Sequence, residues 1–108
     1  MSRSLIERRL TDVAERLKQL RLDLTVADEQ LLHFVDEADH ARLRALVSET
    51  PLADREHRDA ARHAAVIERG RDEVAEEIRR LEALQDELLD QMLALGSAST
   101  HLSADGPN

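Results

Sequence analysis

Cysteine, tryptophan and tyrosine are absent from these 108 residues, and Phe34 is the only aromatic residue. Without cysteine there is no disulfide framework and no thiolate metal site. Without aromatics the usual filling of a compact globular core is missing, whereas a seam between two helices needs only Leu, Ile, Val and Ala. Glycine occurs three times and proline twice, which leaves turn chemistry for very few connections. No apolar run approaches the roughly 20 residues that span a bilayer. The opening MSRSLIERRL lacks the apolar stretch of a secretory signal peptide. Lys18 is the only lysine against 14 arginines, a bias associated with GC-rich bacterial genomes. A single soluble, cytoplasmic domain with no membrane contact is expected. The 35% of charged residues and the net charge of −8 suit long exposed helix faces.

What is present is a heptad ladder in each half of the chain. Apolar residues recur at Ile6, Leu10, Val13, Leu17, Leu20, Leu24, Ala27, Leu31, Phe34, Ala38, Ala41 and Ala45, always three or four residues apart. The second half repeats the pattern at Ala53, His57, Ala60, Ala64, Ile67, Arg71, Val74, Ile78, Leu81, Gln85, Leu88, Met92 and Leu95. A 3.5-residue period held over this length argues for a coiled coil rather than an ordinary amphipathic helix.

Thr50-Pro51 separates the ladders. Thr50 is a good N-cap and Pro51 suits the first helical position, where its missing N–H would be unpaired anyway. Ser2 and Ser4 are both candidate caps for the first helix, and Ser4 with Glu7 has capping-box spacing. The spacing predicts one hairpin domain over 1–96, with helix 1 over about 3–47, a turn at 48–51 and helix 2 over about 51–95. Gly96 is expected to close helix 2, and 97–108, lacking periodicity, to form a disordered tail. Each helix is roughly 65–70 Å long at about 1.5 Å per residue. Gly70 interrupts helix 2 as a tolerated surface glycine or as a point of close helix contact.

Charge orients the pair. Six acids and no Arg or Lys lie between Leu22 and Ala41, whereas residues 2–21 carry six basic and three acidic groups. Residues 72–90 carry eight acids and two arginines. Folding back at the turn sets residue i beside roughly residue 98 − i, so the basic start faces the acidic end. Parallel pairing of either helix would stack like charges. The fold class read from these patterns is all-α: a long antiparallel two-helix coiled-coil hairpin.

Three polar residues, His57, Arg71 and Gln85, occupy the same heptad position fourteen residues apart. Polar seam residues of this kind specify register by penalising slipped pairings. Arg71 can reach toward Asp28. His33, Asp36, Glu37 and His40 share an outer helical face with spacing that could hold a divalent ion, but a solvated face is the plainer reading. No catalytic set is evident, because nothing in the pattern buries a nucleophile or a tuned acid. No enzyme activity, cofactor or metal is expected.

Apolar residues outside the seam point to an interface. Val35, Leu43, Leu46, Val47, Leu52, Val66, Leu84 and Leu89 form the candidate set, with Leu32 and Leu93 beside them. An isolated hairpin has no use for a second stripe, so dimerisation into a four-helix assembly is predicted, with an unknown protein partner as the alternative occupant. Leu43, Leu46, Val47 and Leu52 concentrate at the turn. The tip arginines Arg42, Arg44, Arg55, Arg58 and Arg62 are interspersed with acids at helix spacing, so ion pairing within the helix, not nucleic-acid binding, is expected of them.

The stretch LRALVSETPLADREHRDAARHA resembles one found in short actinobacterial coiled-coil hairpin proteins of unknown function. The resemblance covers most of the hairpin and implies no activity. More broadly, a long hairpin with a shaped tip is similar to bacterial factors that insert a coiled coil into RNA polymerase. Those factors carry acids at the tip, where this chain has Glu49 and Asp54, together with a globular domain or zinc ribbon that these residues do not pattern. The expected function is a non-enzymatic protein–protein interaction module, a scaffold or adaptor. The alternative is a regulator whose tip enters a large machine such as RNA polymerase.

Overall fold

The computed structural model describes residues 2–104, with side chains through Ser97. It consists of two helices, α1 (Arg3–Ser48) and α2 (Pro51–Ala104), and no strand among the described residues. Among those residues no helix is long and apolar enough to cross a membrane.

The helix ends follow from their caps. Ser2 opens α1: its hydroxyl accepts the Leu5 N–H at 3.3 Å, and its carbonyl accepts the Ile6 N–H at 3.1 Å. Ser4 therefore lies inside the helix. Glu7, its expected capping-box partner, instead accepts a 3.2 Å hydrogen bond from Arg3 Nε. At the turn, Glu49 takes a left-handed conformation with φ of 51°. Its N–H still donates to the Ala45 carbonyl at 3.1 Å, and the chain then reverses. Thr50 caps α2 as expected, with its hydroxyl accepting the Ala53 N–H at 3.2 Å and its carbonyl the Asp54 N–H at 3.1 Å.

The far end of α2 departs from expectation. Gly96 does not adopt a positive φ and does not end the helix, which continues to Ala104. A glycine terminates a helix only when it takes the left-handed conformation that lets following N–H groups cap the last carbonyls. Residues 97–104, expected to be disordered, are helical, and 105–108 lie outside the described residues. Gly70 has open space where a Cβ would project, so the surface reading holds and close helix contact does not.

Burial follows the ladder. In α1 all twelve ladder positions are buried or half-buried, and every other described position from 2 to 50 is exposed. In α2 the ladder is likewise covered from Ala53 to Met92. Leu95 is the exception, 37% exposed, because the position level with it on α1 is Arg3 at the helix start. Ala75, off the ladder, is buried beside Val74.

Packing divides the chain into two units. The first joins α1 up to Leu20 to α2 from Glu77 onward. Ile6, Val13, Leu17, Leu20, Ile78 and Leu88 are each no more than 8% exposed there. Burial of such side chains contributes about 1.5–3 kcal/mol each. Arg16 Nη2 donates to Glu77 Oε1 at 3.3 Å across the helices. The second unit, Arg21–Glu76, contains the turn. Its buried residues are all alanines: Ala41, Ala45, Ala53, Ala64 and Ala75. Its larger seam residues, Leu24, Leu31, Phe34, Ile67 and Val74, are half-buried. Two cross-helix contacts in this unit, Asp28 with Arg71 and Phe34 with His63, have residue numbers summing to 99 and 97. That confirms antiparallel pairing close to the expected register.

Candidate interaction surface

The polar seam residues sit where the heptad placed them. His57, Arg71 and Gln85 are all half-buried. Arg71 reaches out of the seam, with Nε donating to Asp28 Oδ1 at 2.7 Å and Nη1 to Asp72 Oδ1 at 3.2 Å. The hydrogen bond to Asp28, and then that to Asp72, raises the Arg71 pKa above its ordinary value, so the guanidinium stays charged. His57 differs. Its Nδ1 is buried and has no hydrogen-bond partner among the described residues. Buried polar atoms without partners are uncommon and cost stability.

One contact was not read from the sequence. Phe34 packs between His33, at a centroid distance of 5.2 Å, and His63 on α2, at 4.2 Å with planes tilted by 38°. His63 lies one position before the ladder residue Ala64, which is the flanking position that touches the facing helix. That spacing was the available signal. Of the face formed by His33, Asp36, Glu37 and His40, only His40 and Asp36 approach each other, at 3.7 Å. Among the described residues no group of three or more His, Asp or Glu side chains is arranged to hold a metal ion.

The off-seam apolar residues are exposed as a set. Val47 is 85% exposed, Leu32 73%, and Leu46 and Leu52 64% each. Val35, Leu43, Val66, Leu84 and Leu89 are exposed as well. They do not form one stripe. With the seam at heptad positions a and d, Leu32, Val35 and Leu46 fall at b and e, on one flank of the second unit. Val47, Leu52 and Val66 fall at c, on the opposite flank, and Leu43 falls at f on the outer face. Leu84 and Leu89 belong to the first unit.

The b/e flank carries a depression of about 450 Å³ lined by Asp28, Leu31, Leu32, Val35 and Arg71. In the first unit a smaller one of about 270 Å³ is lined by Ile6, Gln91, Ala94 and Leu95, where the ladder of α2 outlasts α1. The tip arginines depart from expectation. Arg62 pairs with Asp59. Arg42, Arg44, Arg55 and Arg58 form no ion pair among the described residues.

Compared with family models, curated proteins and solved structures, the chain finds no match.

Proposed function

We propose that this chain is a non-enzymatic protein–protein interaction module, one of the short bacterial helical hairpins, acting in the cytoplasm as a scaffold or adaptor that self-associates. The observation that carries this reading is the contrast between a filled seam and exposed apolar flanks. Every α1 ladder position is covered within one chain, yet Leu32, Leu46, Val47 and Leu52 are 64–85% exposed. Apolar surface of this kind marks an interface more often than a monomer's ordinary face. A further support is the alanine-lined core of the second unit. It buries little area per residue, so a second layer of helices there would add stability that the hairpin does not supply itself.

A second reading keeps the tip as the working part. Val47 and Leu52 flank the turn on the c flank, with the acids Glu49 and Asp54 at the same turn on the b/e side, and would serve a hairpin that inserts into a large machine such as RNA polymerase.

Thermal melting followed by circular dichroism, with light scattering, tests the first reading. Melting should shift upward with protein concentration, because association stabilises the folded state by mass action. A folded monomer whose melting is unchanged over a hundredfold dilution would overturn self-association.

A further inference from the structure

We infer that the b/e flank of the second unit is the docking face for a second copy of this chain, and that the two copies lie with their turns at the same end. The inference rests on the self-association reading above and adds the face and the orientation.

The face has bulky and small halves at one level. Residue i of α1 lies level with roughly residue 98 − i of α2, as the Asp28–Arg71 and Phe34–His63 contacts show. Leu32 and Val35 are therefore level with 63–66. On the b/e flank of α2 that stretch of helix presents Ala65, and one turn nearer its start Ala61, both exposed. The depression beside Leu32 and Val35 lies on the same flank. A two-fold axis running along the hairpin sets α1 of one copy over α2 of the other without changing level. Leu32 and Val35 of each copy then sit on Ala61 and Ala65 of the other, large on small, which is how helix faces interdigitate. The contact is made twice by symmetry.

Charge selects the same arrangement. Asp39 and Arg42 on α1, and Asp54 and Arg58 on α2, occupy b or e positions of this flank, and none has an ion-pair partner among the described residues. In the same-end arrangement Asp39 comes level with Arg58 of the second copy, and Arg42 with Asp54. Arg71 keeps both its carboxylates, so the seam arginine enters the interface already paired. Glu68, at an e position of this flank, comes level with Asp28 of the second copy, and that like-charge contact is offset because Arg71 already pairs the Asp28 carboxylate. Turning the second copy end for end about the Leu32–Val35 level reverses this. Leu32 and Val35 would meet their own counterparts, Asp28 would face Asp39, and Arg58 would face Arg71. Like charges set against one another reject an orientation more effectively than opposite charges stabilise one.

Three measurements on the full chain decide it. Leu32→Asp, on an exposed position, should abolish the dimer in light scattering while the helical circular dichroism is retained. If the dimer survives, this flank is not the interface. Ser48→Cys, the only cysteine in the chain, carries a nitroxide at the turn. In the same-end dimer the two labels should lie within about 30 Å, given interaxial spacings of about 8–10 Å. End-for-end stacking would separate them by about 45 Å at roughly 1.5 Å per residue. That result would overturn the orientation while leaving self-association standing. Arg42→Asp and Asp54→Arg should each weaken dimerisation roughly tenfold, since each reversal acts at two symmetric contacts, and the double variant should recover most of it. Additive losses in the double variant would mean that these residues do not meet across the interface. If the unaltered chain is monomeric at every concentration, both this inference and the self-association reading fail.

Discussion

Arg71 and Asp28 meet across the two helices through a 2.7 Å hydrogen bond from Nε to Oδ1, although 43 residues separate them in the chain. The contact turns a seam arginine outward, where Asp72 also holds it. It does not titrate from the arginine side in the neutral range. A base whose folded pKa is raised contributes stability at every pH below its ordinary value. It loses that contribution only as pH rises through the folded one, far above neutrality.

His57 shows the opposite situation, with a buried and unpartnered Nδ1 at the same heptad position. His57→Leu should raise stability by about 1–2 kcal/mol by removing an unsatisfied polar atom. Arg71→Leu and Gln85→Leu should change stability by less than about 1 kcal/mol, because the Arg71 pair is satisfied and partly solvated. All three should broaden register or oligomeric state, visible as extra species by native mass spectrometry or NMR. Losses of several kcal/mol in Arg71→Leu and Gln85→Leu would make them paired structural contacts rather than register devices. Chemical denaturation supplies the comparison.

Gly70 lies mid-helix with open space at its Cβ. Gly70→Ala should stabilise the chain by about 1 kcal/mol, through helix propensity alone. A loss of stability would mean that the glycine's backbone freedom or its lack of a side chain is used in the assembled state.

Glu49 holds a positive φ that side chains adopt at a cost of about 1–2 kcal/mol. Glu49→Gly should therefore raise the denaturation midpoint by an amount equivalent to about 1 kcal/mol, and Glu49→Val should lower it. If glycine destabilises the turn, the Glu49 side chain contributes more than its backbone strain costs.

Leu17 is 1% exposed in the leucine-rich unit, whereas the second unit buries only alanines fully. Leu17→Ala should cost about 2–5 kcal/mol, while Leu43→Ala, on an exposed position, should cost less than about 0.5 kcal/mol. Amide hydrogen exchange should be slower around Leu17 and Leu88 than around Ala41 and Ala53 in the monomeric Leu32→Asp variant. Equal protection in both regions would show that alanine packing alone suffices at the turn.

Val47 and Leu52 lie on the flank opposite Leu32 and Val35. Val47→Asp with Leu52→Asp should therefore leave the dimer intact in light scattering while removing capture of any native partner that reads the tip. If the oligomer dissociates instead, self-association runs through the c flank. If both oligomer and partners survive, the tip is not a contact surface, and the flanks around Val35, Leu84 and Leu89 become the remaining candidates.

The chain's pattern alone determined the seam. A period of 3.5 residues leaves only one line of each helix that can face a partner continuously, so the twelve α1 ladder residues could be named without coordinates. Thr50-Pro51 was equally legible, because cap and first-turn chemistry depend on neighbours in sequence. Ser2 over Ser4, the left-handed Glu49 and the continuation of α2 through Gly96 were decided by the folded backbone. Those choices differ by about 1 kcal/mol, and no local residue pattern separates them. The partners of Arg71 and Phe34 were decided by tertiary structure too. Heptad register sets which residues share a level, but which of several nearby carboxylates an arginine reaches depends on side-chain geometry between two helices. The division of the exposed apolar residues into b/e, c and f faces, by contrast, already follows from the heptad once the seam is placed at a and d. What only the fold shows is the depression beside Leu32 and Val35 on the b/e side, because its shape depends on how the side chains of both helices pack around Arg71 and Asp28.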